Sequence, residues 1–150
     1  MSAHADFDAM ARRVIDANLY MTLGTVDDDG RPRVTPVFFA TADHREFLWV
    51  SDPASIHSRN LEARPQIAIV IFDPGIPLET EGYGVYVAAT ADRPSGAERD
   101  RMLLALTARS EAHGGRRWTP DRVEPPARMR LYRATAHALD VWPDVGTWDD

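Results

Sequence analysis

Between Asn18 and Ser51 three β-type runs, "NLYMTLGTV", "RPRVTPVFFAT" and "FLWVS", follow one another with only "DDDG" and "ADHRE" between them. A parallel pair needs a crossover of roughly a dozen residues or more, so connections this short force the runs to pair antiparallel. Asp29-Gly30 between extended runs is a hairpin signal, although the length of the acidic loop leaves the turn type open. Within the second run Arg33 and Thr35 are expected to point outward, with Val34 and Val37 inward. Pro36 removes a ladder donor there, which marks either an ordinary sheet edge or a strand that offers its backbone to a ligand.

Around these strands the periodicity changes. Phe7, Met10, Ala11, Val14 and Ile15 repeat at the spacing of one buried helical face, which predicts an amphipathic helix over residues 6–18 with Asp6 near its start. "SDPASIHSRNLEARP" reads as a helix of a few turns, capped by Ser55 or Asp52, facing the core with Ile56 and Leu61, and ended by Pro65. A nearly continuous apolar strand, "QIAIVIFD", and a second strand, "YGVYVAATADR", flank the loop "PGIPLETEG". "PSGAERDRMLLALTARS" predicts a further helix, with Ser95 and Glu98 at capping-box spacing and Met102, Leu103 and Leu106 on one face. The loop "HGGRRWTPDRVEPP" then leads to a last long strand, "ARMRLYRATAHALDVW". The pattern predicts one α+β domain over residues 1–150 whose antiparallel sheet closes into a small barrel, since closure removes exposed edges.

Composition narrows the chemistry. The 150 residues include no cysteine, which excludes thiolate metal sites and cysteine nucleophiles. A net charge of −6 argues against a nucleic-acid partner, and the 17 basic residues are all arginine, so any bound phosphate must be held by Arg, His, hydroxyls or backbone N–H. No window approaches the roughly 18 to 20 apolar residues of a membrane span, and "MSAHADFDAMARR" is not a signal peptide; a cytoplasmic protein without a membrane partner is expected. His4, His44, His113 and His137 have no metal-ligand spacing, so no metal is expected. Trp49, Trp118, Trp142 and Trp148 read as core or interface residues. Glycine-rich nucleotide loops, a serine-hydrolase elbow and any evident nucleophile–base pair are missing, which leaves the catalytic residues unassigned.

Ser55, His57, Ser58 and Arg59 crowd the first turns of the helix after the third strand. Free N–H groups and the helix dipole favour an anion there, and hydroxyls with cationic side chains complete a phosphate cradle. Residue types alone favour the plainer alternative, serine caps with His57 and Arg59 in solvent, because caps at helix starts outnumber phosphate sites.

"YMTLGTVDDDGRPRVTPVFFA", "FLWVSDPASIHSRNLEARPQIAIVIFD" and "GYGVYVAATADR", in this order, resemble the FMN-binding split-barrel proteins related to pyridoxamine 5'-phosphate oxidase, from about Asp6 to Arg93 and loosely to Trp142. The resemblance implies a mainly β, six-stranded antiparallel split barrel with short flanking helices, forming a homodimer with two flavin sites at its interface. It further implies that backbone around Thr35, Pro36 and Val37 meets the flavin ring and that Val50 and Ser51 line the pocket. Ser55 and His57 fall where the family binds the ribityl phosphate, with Ser58 beside them and Arg33 and Arg59 as further cations. This chain departs from the pattern at His57, where the family most often has lysine, and at Tyr83, where glutamine is common. It also lacks the basic C-terminal extension that holds pyridoxamine phosphate, so oxidation of that vitamer is not expected.

The function so implied is an FMN-dependent oxidoreductase acting on a small molecule. One alternative keeps the fold and takes the deazaflavin coenzyme F-420, with Arg93, Arg116, Arg117 and Arg122 as a cationic groove for its acidic tail. Another is a non-catalytic binder of flavin, pyridoxal phosphate or haem, with His57 or His113 as an axial ligand in the haem case.

Overall fold

The computed structural model describes residues 3–145. Of the residues singled out above, Trp148 and the side chains of His4, Asp6 and Phe7 lie outside that description. Helix α1 (Ala3–Ala17) is followed by strands β1 (Tyr20–Val26), β2 (Pro32–Phe38), β3 (Ala40–Ala42) and β4 (Glu46–Ser51), helix α2 (Ile56–Ala63), and strands β5 (Gln66–Phe72) and β6 (Gly82–Asp92). Helix α3 (Gly96–Ala112), a 3-10 turn (Pro120–Arg122) and strand β7 (Arg130–Val145) complete it.

All strands join one antiparallel sheet in the order β2-β1-β5-β6-β7-β4-β3. The sheet curls until β2 touches β4 without a ladder between them, so the barrel is split along that line. Seven strands stand where six were expected, because "RPRVTPVFFAT" does not run as one piece. It breaks at Phe39, where the chain leaves its pairing with β1 and begins pairing with β4.

Local chemistry explains the turns. The β1–β2 loop closes through Asp27 N–H to Arg31 O (2.8 Å) and Gly30 N–H to Asp27 O (2.9 Å), with Gly30 at φ 86°. Glycine adopts that left-handed backbone at little cost, which is why the acidic loop ends in it. Asp43 and His44 both sit at φ 55° in the β3–β4 turn, which Arg45 N–H closes onto Ala42 O (3.2 Å), and Asp and His tolerate that backbone better than most side chains.

Two apolar clusters form. Phe47, Trp49, Leu23, Ile69, Val85 and Tyr132 fill the barrel, closed at one end by Ala11 and Ile15 of α1. Leu48 and Leu131, on the other side of the same strands, pack under Met102, Leu103 and Leu106 of α3. Strand β4 is thus covered on both faces, which accounts for the unbroken apolar run "FLWV". Arg133 on β7 ties the layers together: it donates to Asp92 on β6 (2.8 and 2.6 Å) and to Glu98 on α3, and lies 3.7 Å from Glu46 on β4. Glu98 is therefore spent on Arg133, and Ser95 caps α3 without a side-chain hydrogen bond, so the capping box does not form.

Strand β5 behaves differently. Ile67, Ile69 and Ile71 point inward, while Ala68 and Phe72 face out and are exposed. The register continues this outer face as a row of small residues, Val34–Gly24–Ala68–Ala88–Ala138, with Phe72, Tyr86 and Trp142 beside it. Val34 is accordingly 72% exposed rather than inward. Side chains alternate along a strand, so Val34 and Val37 occupy opposite faces and only Val37 packs on the core. Among the described residues, no helix is long and apolar enough to cross a membrane.

Candidate functional site

The split between β2 and β4 opens into a cleft of about 330 Å³ lined by Pro36, Val37, Phe38, Val50, Ser51, His57, Leu106 and Trp118. Strand β2 is a sheet edge, so alternate backbone groups of residues 35–37 face away from β1 with no strand partner. Val50 and Ser51 end β4, and α3 supplies Leu106 as the opposite wall.

Helix α2 enters this cleft by its N-terminus. Asp52 Oδ1 accepts from Ala54 N–H (2.8 Å) and Asp52 O accepts from Ser55 N–H (3.0 Å), a turn that aims the chain into the helix. Ser55 is the N-cap: its Oγ accepts from Ser58 N–H (3.3 Å) and donates to Ser58 Oγ (2.7 Å). Further along, the buried Asn60 donates to Thr25 Oγ1 (3.2 Å) and Asp27 Oδ1 (2.7 Å), and Arg64 donates to Val26 O. These bonds fix α2 to the β1–β2 hairpin and so hold its first turn at the cleft. Loss of the cap in Ser55→Ala is expected to lower unfolding stability by about 1 kcal/mol, read by urea denaturation.

His57 is the polar focus. Its Nε2 lies 2.9 Å from Ser51 Oγ and 3.4 Å from Ser55 Oγ. Burial holds its imidazole below the ordinary 6.5, and among the described residues no carboxylate pairs with it, so it is neutral at pH 7. A phosphate placed at this end would meet unpaired N–H groups of the first helical turn, two hydroxyls and an imidazole that takes up a proton as the anion arrives. A planar ring would fit the rest of the cleft, between the β2 edge and the apolar side chains of Val50, Leu106 and Trp118. The residues present suit a phosphate-bearing planar cofactor.

Not every expected residue gathers here. Pro36, Val37, Val50, Ser51 and His57 line the cleft, with Ser55 beside His57. Thr35 is on β2 but does not line it. Ser58 is fully buried beneath Ser55. Arg33 makes a bidentate pair with Asp27 (2.9 and 3.2 Å), and it shares with Arg59 a separate cleft that also holds Asp28 and Asp29. Those carboxylates make that cleft unsuited to a phosphate. Ile56, expected in the core, is 44% exposed beside Arg59. Tyr83 donates to Glu81 Oε1 (2.9 Å) away from the cleft. Phe38, Leu106 and Trp118 join the site through the packing of α3 and its following loop, for which local periodicity carries no signal. Among the described residues, no three His, Asp or Glu side chains converge as a metal site requires.

A family model described as pyridoxamine 5'-phosphate oxidase matches residues 7–142. The chain belongs to the pyridoxamine 5'-phosphate oxidase family. A pyridoxine/pyridoxamine 5'-phosphate oxidase of Ectopseudomonas mendocina is 32% identical, over 69% of this chain and 64% of that protein. The corresponding oxidase of Burkholderia lata is 34% identical, over 65% of this chain and 43% of its own length. The chain thus spans roughly half to two thirds of these curated relatives. Among solved structures, a heme binding protein from Mycobacterium smegmatis aligns with TM-score 0.72 at 20% identity, covering 94% of this chain and 56% of that one. An F420 reductase aligns at 0.61 and 22%, covering 86% and 94%. A FAD-binding protein from Mesorhizobium loti aligns at 0.65 and 18%, covering 94% of each chain. At these identities the likeness to solved structures establishes the split-barrel fold.

Proposed function

We propose that this family member binds FMN in the β2–β4 cleft and acts as a flavin-dependent oxidoreductase on a small molecule, as a homodimer. The convergence of Pro36, Val37, Val50, Ser51 and His57 beside the N-terminus of α2 carries the reading. Bound there, a flavin would supply hydride or single-electron transfer, chemistry that amino-acid side chains do not provide by themselves. The protein's part is to hold the phosphate at Ser55, His57 and the helix N–H groups, to offer the β2 backbone to the ring edge, and to exclude water with Leu106 and Trp118. The volume of the cleft is at the low end of the roughly 300–1,000 Å³ typical of ligand sites, in keeping with a site that a second subunit completes. The outer face of β1, β5 and β6 is the surface suited to that subunit: its central row is small and apolar, and Pro36 belongs both to this face and to the rim of the cleft.

Coenzyme F-420 is the alternative on the same site, in line with the F420 reductase among the structural neighbours. Of the four arginines considered for its tail, Arg93 is paired to Glu62 and Arg117 to Glu111, while Arg116 and Arg122 line a neighbouring cleft beyond Trp118. Two of the four are thus already spent on carboxylates, which favours FMN. Fluorescence titration with each coenzyme decides between them: FMN is expected to saturate one site per protomer, and binding of F-420 alone would overturn the choice.

The titration carries its own pH dependence. A phosphate raises the pKa of His57 above its depressed free value, so binding takes up a proton. Affinity for FMN is expected to rise as pH falls from about 8 to about 6.5, by at most roughly tenfold per unit, before the phosphate itself protonates near pH 6. In His57→Ala that slope should vanish.

A further inference from the structure

Trp118 has cleft on two sides. It lines the site just described, and it also lines a second cleft of about 640 Å³ with Arg116, Asp121, Arg122, Ala127, Arg128 and Met129. The wall between them is a built feature: Trp118 N–H donates to Thr107 Oγ1 (2.8 Å), and Thr107 Oγ1 donates back to Trp118 O (3.2 Å), which pins the loop to α3. Arg116 lies over the Trp118 ring at 5.7 Å. Arg128 donates to Asp52 (2.5 Å), the residue whose other carboxylate oxygen takes Ala54 N–H at the start of α2. The second cleft is therefore coupled both to the wall and to the helix of the first.

The charge of this cleft reverses that of the molecule. The chain carries −6 overall, yet here three arginines face a single lining carboxylate, Asp121. Asp52 offsets Arg128, which leaves Arg116 and Arg122 as the cations that form no ion pair among the described residues. Guanidinium forks pair with carboxylates in two parallel hydrogen bonds, and a guanidinium already stacked on an indole is oriented without further loss of freedom. Met129, 38% exposed, and Ala127 add apolar surface that a ring can cover.

We propose that this cleft is the substrate's recognition subsite and that the substrate class is an aromatic acid with more than one anionic group, held by Arg116 and Arg122 with its ring against Ala127 and Met129. The proposal deepens the flavin reading and rests on it: Trp118 separates the two clefts, so the acid is anchored here while its reacting end extends past Trp118 to the cofactor's site. Recognition of this kind weakens with added salt, because Arg116 and Arg122 are solvent-facing.

Isothermal titration with isophthalate tests it, using the full chain with and without saturating FMN. The wild type is expected to bind the diacid. The double variant Arg116→Gln/Arg122→Gln should bind about tenfold more weakly or worse, as should the uncharged isophthalamide with the wild type. Arg101→Gln, an exposed arginine of α3 outside both clefts, should leave binding unchanged. Equal affinity in the double variant, equal affinity for the diamide, or no heat from isophthalate at millimolar concentration would overturn the proposal. FMN should bind the double variant as it binds the wild type. If FMN binds neither protein, the flavin reading fails, while the isophthalate comparison still judges the cleft.

Discussion

Ala68→Asp is expected to turn a dimer into a monomer at micromolar concentration, measured by light scattering, and to weaken FMN binding with it. Ala68 sits at the centre of the outer sheet face, between Gly24 and Ala88 in register. In the isolated protomer its side chain is exposed, so the substitution costs the fold little. Inside a two-fold interface the same carboxylate is buried without a partner, which costs about 3 kcal/mol, and symmetry counts it twice. Association should then weaken by roughly four orders of magnitude. The reason to expect an interface is β5 itself. Its run "QIAIVIF" is apolar on both faces, the pattern of a strand covered on both sides, yet one protomer covers only the side holding Ile67, Ile69 and Ile71. An unchanged dimer in Ala68→Asp, or a monomeric wild type, would remove this surface from the account.

The second large effect is on folding. Arg133→Met is expected to lower unfolding stability by about 2 kcal/mol in urea denaturation, because it strands Glu46, while Asp92 and Glu98, each about half exposed, regain water. The Arg133 side chain is 13% exposed and serves three elements at once, through Asp92, Glu98 and Glu46. One Glu46 oxygen, Oε2, is buried with no hydrogen-bond partner and relies on the guanidinium 3.7 Å away. These contacts hold the guanidinium proton more tightly than usual, with the Asp92 hydrogen bonds the main cause. Methionine fills similar volume and keeps the packing against Met102, so the loss reports the charge network rather than a cavity. A drop of only a few tenths of a kcal/mol would mean that the network is solvated in practice.

Much of this was legible in the residues. Short turns forced the antiparallel order, the apolar stripes of α1 and α3 face the core, and "SDPASIHSRN" does cap a helix at Ser55. What was not legible depends on contacts distant in sequence. The cation at Arg33 is taken by Asp27 across a hairpin whose turn type the sequence left open, and Glu98 leaves its cap for Arg133, thirty-five residues away. Val34 and Ile56 read as core residues because apolar side chains normally mark the interior, but here they lie on exposed surface. Leu106 carries the periodicity of a core helix and is indeed buried, yet it also walls the cleft, a double role that periodicity does not report.

The measurement that tests the central claim most directly is an FMN titration, followed by flavin fluorescence, of the wild type beside His57→Ala, which removes the polar group at the phosphate end of the cleft. Saturable binding by the wild type, weakened about tenfold or more by His57→Ala, is the expected result. Binding that the substitution leaves unchanged would place the cofactor elsewhere and contradict the account.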